Sequence, residues 1–278
     1  MKTKNNNVIK GMLFAGCSFT WGQGLHFYSN MATINEPTTD AHNRFRKTLY
    51  WPRLVTNYFD TFEVSMIQNG GCEETSFDYM KHAFGLIKPN NNIINEKYNF
   101  NEIEYIIFQT SHPQRNTYYY DYVNPNGSVS ACEFKTGFIL TEENLNKFYK
   151  YLVEQKKCTI DEWYLEHCKN WFAKIKENLQ FYESKGIKTL ILNWEVDYMP
   201  FYKNDKWMSD RLVTFEYNEK SYDTIRTMME ENKHLYIDSD YEYFEVTPTD
   251  NHPSKKCHRL IADAVIKKIK NKKINILL

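Results

Sequence analysis

The stretch VIKGMLFAGCSFTWGQG, residues 8–24, combines an apolar run with a turn of small residues that holds a serine. Residues 8–15 are largely β-branched and aliphatic without alternation, which is typical of a strand covered on both faces of a parallel sheet. In open α/β sheets, ligands bind at the edge where such strands end. The pattern predicts Ser18 at this edge, where a serine is either a nucleophile or the N-cap of a helix.

Four more apolar runs continue this pattern. We predict further buried strands at 62–68, 103–109, 187–193 and 234–238. We predict helices at 50–59, 73–86, 161–184, 219–232 and from Ser254 onward, with Asp161 as N-cap of the long third one. The alternation indicates a single α/β domain over residues 1–278. It has three layers, α/β/α, and a five-stranded parallel sheet in the flavodoxin-like order 2-1-3-4-5.

Two segments, near 112–158 and 196–218, interrupt the alternation of strands and helices. Both are rich in Tyr, Asn and charged residues, and each follows the carboxyl end of a predicted strand. We therefore interpret them as insertions that frame a site at this edge of the sheet.

The composition disfavours several classes of protein. Lys and Arg number 35, as do Asp and Glu, so net charge favours neither nucleic acid nor an anionic membrane as a partner. The six cysteines form no C-x-x-C pair or zinc-type spacing, so no metal site is expected. Their even number would allow disulfides, but we expect free thiols, as in a cytoplasmic protein. The start, MKTKNNNVIKGML, lacks the apolar core of a signal peptide, and no apolar run is long enough for a membrane span, so we expect a cytoplasmic protein. A Gly-rich phosphate loop is missing, so no nucleotide or other cofactor is expected, and the oligomeric state stays open.

A second polar turn lies near the other end of the chain, in TPTDNHPSKKCHRLIADAV at 247–265. It places Asp250 and His252 directly before the last predicted helix. A serine nucleophile needs a neutral imidazole to take its proton, and the imidazole needs an acceptor that fixes its tautomer. The Asp-x-His spacing supplies both groups, and Pro253 restricts His252 to extended backbone. Taken alone, each residue has a simpler structural interpretation, with Asp250 capping the helix.

Four stretches, in this order, resemble the blocks of the SGNH (GDSL-type) hydrolase superfamily: GCSFTWG at 16–22, YWPRLVTNYF at 50–59, IQNGGCEETSFDYM at 67–80 and DNHPSKKCHRLIA at 250–262. The resemblance implies Ser18 as nucleophile, His252 as general base and then acid, and Asp250 as the partner that orients His252. It also implies an oxyanion hole that uses the backbone N–H groups of Ser18 and Gly71. If the second block is aligned on its later glycine, the second donor falls on Glu74.

Three features depart from the family pattern. One is the D-x-H spacing of the final block, a spacing that also occurs in the family beside D-x-x-H. The aspartate of G-D-S is Cys17 here, a change that leaves the serine and its turn intact. The third block, G-x-N-D in the family, reads QTSHPQR at 109–115 and lacks the asparagine that acts as the third oxyanion donor. Ser111 is the nearest substitute by position, with His112 or Arg115 as other donors from the same loop.

The resemblance implies metal-independent hydrolysis of an ester through an acyl-enzyme on Ser18. Polar, Tyr-rich insertions favour a small-molecule or carbohydrate ester as substrate, such as an O-acetylated sugar. Trp21, Glu74 and Arg115 are the candidate substrate contacts. Trp21 and the Tyr run at 117–122 also fit plain packing, and Arg115 also fits a structural ion pair. The alternative function is a catalytically inactive module of the same fold that binds a glycan or a protein.

Overall fold

The computed structural model describes residues 10–23, 25, 28, 40–67, 71–87, 97–134, 142–237 and 252–274. The strands are β1 Gly11–Gly16, β2 Glu63–Ile67, β3 Ile103–Gln109, β4 Tyr118–Val123, β5 Val129–Phe134, β6 Lys188–Leu192, β7 Phe215–Tyr217 and β8 Lys220–Tyr222. The α-helices are α1 Ser18–Trp21, α2 Asp40–Leu49, α3 Trp51–Phe59, α4 Glu73–Ala83, α5 Glu142–Lys150, α6 Ile160–Ser184, α7 Met199–Tyr202, α8 Lys206–Ser209, α9 Ile225–Glu231 and α10 Lys255–Ile274. Of the helices within these ranges, none has the length and apolar character needed to cross a membrane.

Four strands form a parallel sheet in the order β2-β1-β3-β6. They correspond to the first four predicted strands, whose relative order 2-1-3-4 is thereby confirmed. β1 is central, since Gly16 pairs with Ile67 of β2 while Ala15 pairs with Phe108 of β3. The turns that follow these three strands therefore lie at the same edge of the sheet.

Both faces of the sheet are buried because successive residues of each strand enter different cores. Met12 and Phe14 of β1 pack with residues of α3, α9 and α10 on one face. Leu13 and Ala15 pack with residues of α4 and α6 on the other face. Helices on both faces give the predicted α/β/α layers, and burial on two sides explains the continuous apolar pattern of β1.

The predicted fifth strand at 234–238 is not confirmed over the residues that the structure describes. Lys233–Leu235 is a 3-10 turn, and Tyr236 then forms an antiparallel bridge with Pro253. This apolar segment is thus paired with the part of the chain that carries His252.

Residues 211–213 lie against the outer edge of β6, where the fifth strand was expected. The Ile191 N–H donates to the Arg211 carbonyl at 2.9 Å, and the Val213 N–H donates to the Ile191 carbonyl at 2.8 Å. Because these bonds satisfy backbone groups at the edge, a short bridge replaces a full strand.

The predicted insertions carry structure of their own. In the first, β4 and β5 pair as an antiparallel hairpin. Tyr120 and Tyr122 of this hairpin pack with Phe148 of α5 and Trp163 of α6 in a separate aromatic core. Most tyrosines of the run at 117–122 therefore contribute to packing, which is one of the two roles predicted for the run, whereas Tyr119 is exposed. The second insertion contains α7, α8 and β7.

Two helix starts differ from the prediction. Thr159, not Asp161, is the N-cap of α6: its hydroxyl accepts the Glu162 N–H at 3.2 Å, and the Glu162 carboxylate accepts the Thr159 N–H at 2.8 Å. This reciprocal capping box satisfies two helix-end donors, which a lone Asp161 would not do. The helix expected at 219–232 begins only at Ile225, because the residues before it form a turn and β8.

Gly16 ends β1 where α1 and β3 approach closely. A Cβ at this position would collide with Thr20 Oγ1 and lie 3.0 Å from the Cβ of Gln109. Thr20 and Gln109 are buried and hydrogen-bonded to each other, so neither can move aside freely. We expect Gly16→Ala to lower the free energy of unfolding by about 1–3 kcal/mol, as measured by urea denaturation. An unchanged unfolding midpoint would contradict this close approach.

His258 of α10 is a fully buried imidazole that contacts α3. Its Nδ1 accepts the Trp51 N–H at 3.3 Å. Its Nε2 has no hydrogen-bond partner within the part of the chain that the structure describes. Burial, with smaller contributions from the charges of His252 and Arg46, lowers the pKa of His258 to about 3.

This depressed pKa predicts a loss of stability in mild acid. The unfolded chain, with an ordinary His pKa of 6.5, binds a proton that folded His258 rejects between pH 6.5 and about 3. Stability contributed by the neutral ring is complete above pH 6.5 and falls as the pH drops through this window. We expect His258→Asn, whose amide oxygen can replace Nδ1, to reduce this pH dependence. Urea denaturation at pH 7 and pH 5 measures the free energy of unfolding of both proteins. If this free energy fell by the same amount in both between pH 7 and pH 5, His258 would not be the source of the pH dependence.

Candidate active site

Ser18 is the first residue of α1, directly after the turn that ends β1. Its hydroxyl oxygen lies 2.8 Å from Nε2 of His252, although the two residues are 234 positions apart in the chain. Ser18 is 3% exposed, so the contact is shielded from bulk water. The distance suits transfer of a proton from the serine to a neutral imidazole.

The His252 ring is supported by aromatic side chains and by its backbone. Phe19 stacks on the imidazole with ring centroids 4.6 Å apart, and Trp194 stacks on Phe19 at 3.5 Å. The Ile237 N–H donates to the His252 carbonyl at 2.9 Å. Phe19 and Ile237 therefore hold this histidine in place, and Trp194 supports Phe19. Asp250, its predicted partner, lies outside the described residues, so its role stays a prediction.

The turns after β1, β2 and β3 meet around Ser111. Its hydroxyl donates to the Gly71 carbonyl at 3.4 Å and lies near the Cys17 thiol. The Gln109 amide donates to the same thiol at 3.3 Å. The structure thus brings Ser18, the second block and the loop that lacks the asparagine to one place. Because the Ser111 hydroxyl is bonded to Gly71, it can act as an oxyanion donor only by leaving that carbonyl.

Glu73, the first residue of α4, is a buried carboxylate that the sequence analysis missed. Its Oε1 accepts the Ser111 N–H at 2.8 Å, and its Oε2 accepts the Asn116 side-chain N–H at 2.8 Å. Burial raises the pKa of Glu73, although these hydrogen bonds counteract part of the effect. Helical periodicity could have identified this residue, since Glu73 shares a helix face with the buried Phe77 and Met80.

Cys17 and Arg115 lie close enough for the Arg115 charge to act on the thiol. Burial raises the pKa of Cys17, and the charge of Arg115 opposes that shift only in part. Cys17 is therefore held as a neutral thiol, which is a poor nucleophile. Nη1 of Arg115 is buried and lacks a hydrogen-bond partner within the described ranges. The substrate contact predicted for Arg115 stays a prediction.

Trp21 and Glu74, the other predicted substrate contacts, are held by neighbouring segments. The Arg46 guanidinium lies 3.7 Å from the Trp21 ring centroid and also donates to the Trp21 carbonyl. The Glu74 N–H donates to Asn116 Oδ1 at 3.1 Å, and its carboxylate accepts the Thr117 N–H at 3.3 Å. Because the Glu74 N–H is already bonded, Gly71 is the better candidate for the second oxyanion donor.

A charged cluster lies beside the third block and the end of β6. Nε2 of His112 is 2.8 Å from Glu195 Oε1, and Arg226 Nη1 is 2.6 Å from the same oxygen. Burial would raise the pKa of Glu195, but the bonds from His112 and Arg226 hold it below its ordinary value. Burial, and then the charge of Glu195, raise the pKa of Asp197.

Potential metal ligands in this cluster are His112, Glu195 and Asp197, whose ligand atoms lie within 4.8 Å of one another. Arg226, however, already supplies a positive charge to Glu195 at 2.6 Å and would repel a cation. We therefore interpret the cluster as an ion-pair network that fixes the loop after β3 to α9.

No protein-family model matches the chain, and no curated protein matches it. An acetyl xylan esterase from the rumen bacterium Butyrivibrio proteoclasticus is 12% identical, with a TM-score of 0.42 over 95% of this chain and 64% of that one. A carbohydrate esterase, whose active site is described as having divergent catalytic and non-catalytic binding functions, is 14% identical, with a TM-score of 0.41 over 95% and 65%.

A protein from Desulfitobacterium hafniense DCB-2, described as lipolytic and of the G-D-S-L family, is 12% identical. Its TM-score is 0.38, over 93% of this chain and 99% of that one. The chain spans less than two thirds of the length of the two carbohydrate-directed esterases. At these TM-scores the likeness establishes neither the family nor the activity of this chain.

The ion pair of Arg226 with buried Glu195 predicts a measurable contribution to stability. Arg226→Gln leaves a 3% exposed carboxylate without its arginine partner. Because Arg226 itself is half-exposed, we expect the free energy of unfolding at pH 7 to fall by about 1–2 kcal/mol. Glu195 has a lowered pKa in the folded protein, so this contribution exists above pH 4.5 and is lost as the pH falls further.

The matched control is Arg259→Gln, which removes an exposed pair with Asp263 at 3.6 Å. We expect this control to change stability by less than about 0.5 kcal/mol. Urea denaturation at pH 7 and pH 4 compares the variants. Equal losses in the two variants at pH 7 would show that burial of Glu195 does not strengthen its pair.

Proposed function

We propose that this protein is a serine ester hydrolase of the SGNH type, with Ser18 as nucleophile and His252 as general base. The observation that carries the proposal is the 2.8 Å distance between Ser18 Oγ and His252 Nε2. The position of the pair supports it, because both residues lie where the parallel strands end, the edge at which α/β folds bind ligands.

In the proposed reaction, Ser18 Oγ bonds to the ester carbonyl carbon while its proton passes to Nε2 of His252. The carbonyl oxygen becomes an oxyanion. When this intermediate collapses, the bond to the alcohol oxygen breaks and His252 gives its proton to the leaving alcohol. Water then attacks the acyl-enzyme, and His252 again takes and returns a proton as the carboxylic acid leaves. We assign Asp250 the acceptor role at Nδ1 of His252, which keeps the Nε2 lone pair directed at Ser18.

We assign the oxyanion to the backbone N–H groups of Ser18 and Gly71. As the first residue of α1, Ser18 has an N–H without an intrahelical acceptor. A third donor would come from Ser111, once its hydroxyl leaves the Gly71 carbonyl, or from Arg115. Loss of one oxyanion donor costs about 10²–10³ in rate, so the missing asparagine predicts slow turnover if neither residue substitutes.

The substrate we propose is a small acyl ester of a small molecule or carbohydrate, such as an O-acetylated sugar. The polar composition of the two insertions supports it. Tyr120 and Tyr122 do not, because they are packed in the aromatic core of the first insertion. Trp21 and Arg115 are the side chains that we assign to substrate contact.

The first test is hydrolysis of p-nitrophenyl acetate by the purified protein. We expect Ser18→Ala and His252→Ala each to lower kcat/KM by about 10⁴-fold or more, because each removes a participant in proton transfer. Ser221→Ala is the matched control, since Ser221 lies exposed in β8, and its activity should equal that of the wild type.

A fluorophosphonate probe tests the nucleophile separately from turnover. We expect it to label the wild type and Ser221→Ala at neutral pH and to leave Ser18→Ala unlabelled. A wild type that neither turns over the ester nor reacts with the probe would overturn the enzyme assignment. That result would favour the alternative, an inactive module that binds a glycan or a protein, for which the asparagine-free loop at 109–115 is the supporting feature.

A further inference from the structure

The carboxylate of Glu73 joins the segments that follow β2 and β3, two strands that are not adjacent in the sheet. Glu73 begins α4, directly after the second block that contains Gly71. Its oxygens accept hydrogen bonds from the Ser111 backbone at 2.8 Å and the Asn116 side chain at 2.8 Å, both in the segment that follows β3. The Tyr198 hydroxyl donates to the same carboxylate at 3.4 Å.

Two further hydrogen bonds join the same two segments without using the Glu73 carboxylate. The Ser111 hydroxyl donates to the Gly71 carbonyl at 3.4 Å. Asn116 Oδ1 accepts the Glu74 N–H at 3.1 Å, so Asn116 is bonded to both of the first two residues of α4. A movement of either loop would therefore break several hydrogen bonds at once.

Burial makes the hydrogen bonds of Glu73 costly to break. Glu73 is 1% exposed and Asn116 and Ser111 are 1% exposed, so water cannot replace a bond that is lost. A buried donor or acceptor left without a partner costs about 1–3 kcal/mol, more for a charged group. The loops are thus constrained to the positions in which all donors reach the carboxylate.

From this geometry we infer that Glu73 is a positioning residue: it sets the distance between the Gly71 turn and the Ser111 loop and thereby the geometry of the oxyanion hole. The inference rests on the proposed function, because it assigns Glu73 to the reaction of Ser18. Glu73 itself touches no reacting atom in this assignment. Its effect passes through Ser111 and Gly71, so it should influence transition-state stabilisation more than substrate binding.

The test exploits the different partners of the two carboxylate oxygens. In Glu73→Gln, the amide oxygen can still accept the Ser111 N–H, but the amide nitrogen then faces the N–H groups of Asn116. This clash of donors should displace the loop. We expect kcat to fall by about 10–100-fold, less than complete loss of an oxyanion donor, with KM changed by no more than about twofold.

Adding Asn116→Asp to Glu73→Gln exchanges donor and acceptor across the same contact. The new amide at position 73 can then donate to the new carboxylate at position 116, which can still accept the Glu74 N–H. We expect the double variant to recover kcat by about threefold or more over Glu73→Gln, but not to the wild-type value, because the carboxylate at position 116 cannot donate to the Pro113 carbonyl as the Asn116 amide does at 3.2 Å. Circular dichroism measures the folded fraction, so that kcat is expressed per folded molecule. A residue that contributes only to stability would not show a loss of this kcat in the single variant and its recovery in the double variant.

A phenylboronic acid provides a second readout, because its tetrahedral adduct on Ser18 places an oxygen in the oxyanion hole. We expect its affinity to weaken in Glu73→Gln by the same factor as kcat/KM.

Glu183→Gln is the matched control: Glu183 accepts a hydrogen bond from the Thr189 hydroxyl at 2.6 Å and pairs with Arg211 near the start of β6. It should lower stability without changing kcat.

The outcomes separate this inference from the proposed function. If Ser18→Ala is as active as the wild type, the proposed function fails. If Ser18→Ala is inactive but Glu73→Gln keeps a normal kcat, or the double variant recovers nothing, only the role of Glu73 is overturned.

Should Glu73→Gln not fold, Tyr198→Phe removes the weakest of the three bonds and should lower kcat by about 2–5-fold at constant KM. An unchanged kcat in that variant would then overturn the inference.

Discussion

The parallel pairing of β1 with both β2 and β3 determines where the chemistry of this chain can lie. Because the three strands run in the same direction, the turns that carry Ser18, Gly71 and Ser111 all emerge at one edge. His252 reaches that edge from the far end of the chain, where the Ile237 N–H holds its carbonyl. A shift of register by one residue would turn every side chain of a strand to the other face and separate these turns.

Around this edge, two buried carboxylates illustrate how neighbours decide the state of a side chain. Glu73 is bonded by neutral donors, and burial raises its pKa. Glu195 is also buried, but His112 and Arg226 hold its pKa below the ordinary value. Each carboxylate connects the segment after β3 to another element, so the cost of burial is offset by bonds that fix loop positions. The site is therefore surrounded by polar contacts that tolerate little rearrangement.

The first four strands could be predicted because buried strands of a parallel sheet leave a local mark, a short and continuous apolar run. The fifth run, at 234–238, carries the same mark. Its described part pairs instead with Pro253, and residues 211–213 cover the edge of β6. Such competition between segments for one edge depends on the whole fold and has no local signal. Glu73 is a similar case. Helical periodicity could predict that it is buried, but not which groups form hydrogen bonds with it.

By itself, the sequence determined the types and order of the groups at the site: a serine after the first strand, a glycine pair after the second, and Asp-x-His before the last helix. These follow from local patterns of strand, turn and helix. Only the tertiary structure decided that Ser18 and His252, 234 positions apart, meet at 2.8 Å. It also decided that Ser111 bonds to Glu73 and Gly71, which lie 38 and 40 positions away. Hydrogen-bond distance and burial depend on how distant segments pack, and no local pattern encodes them.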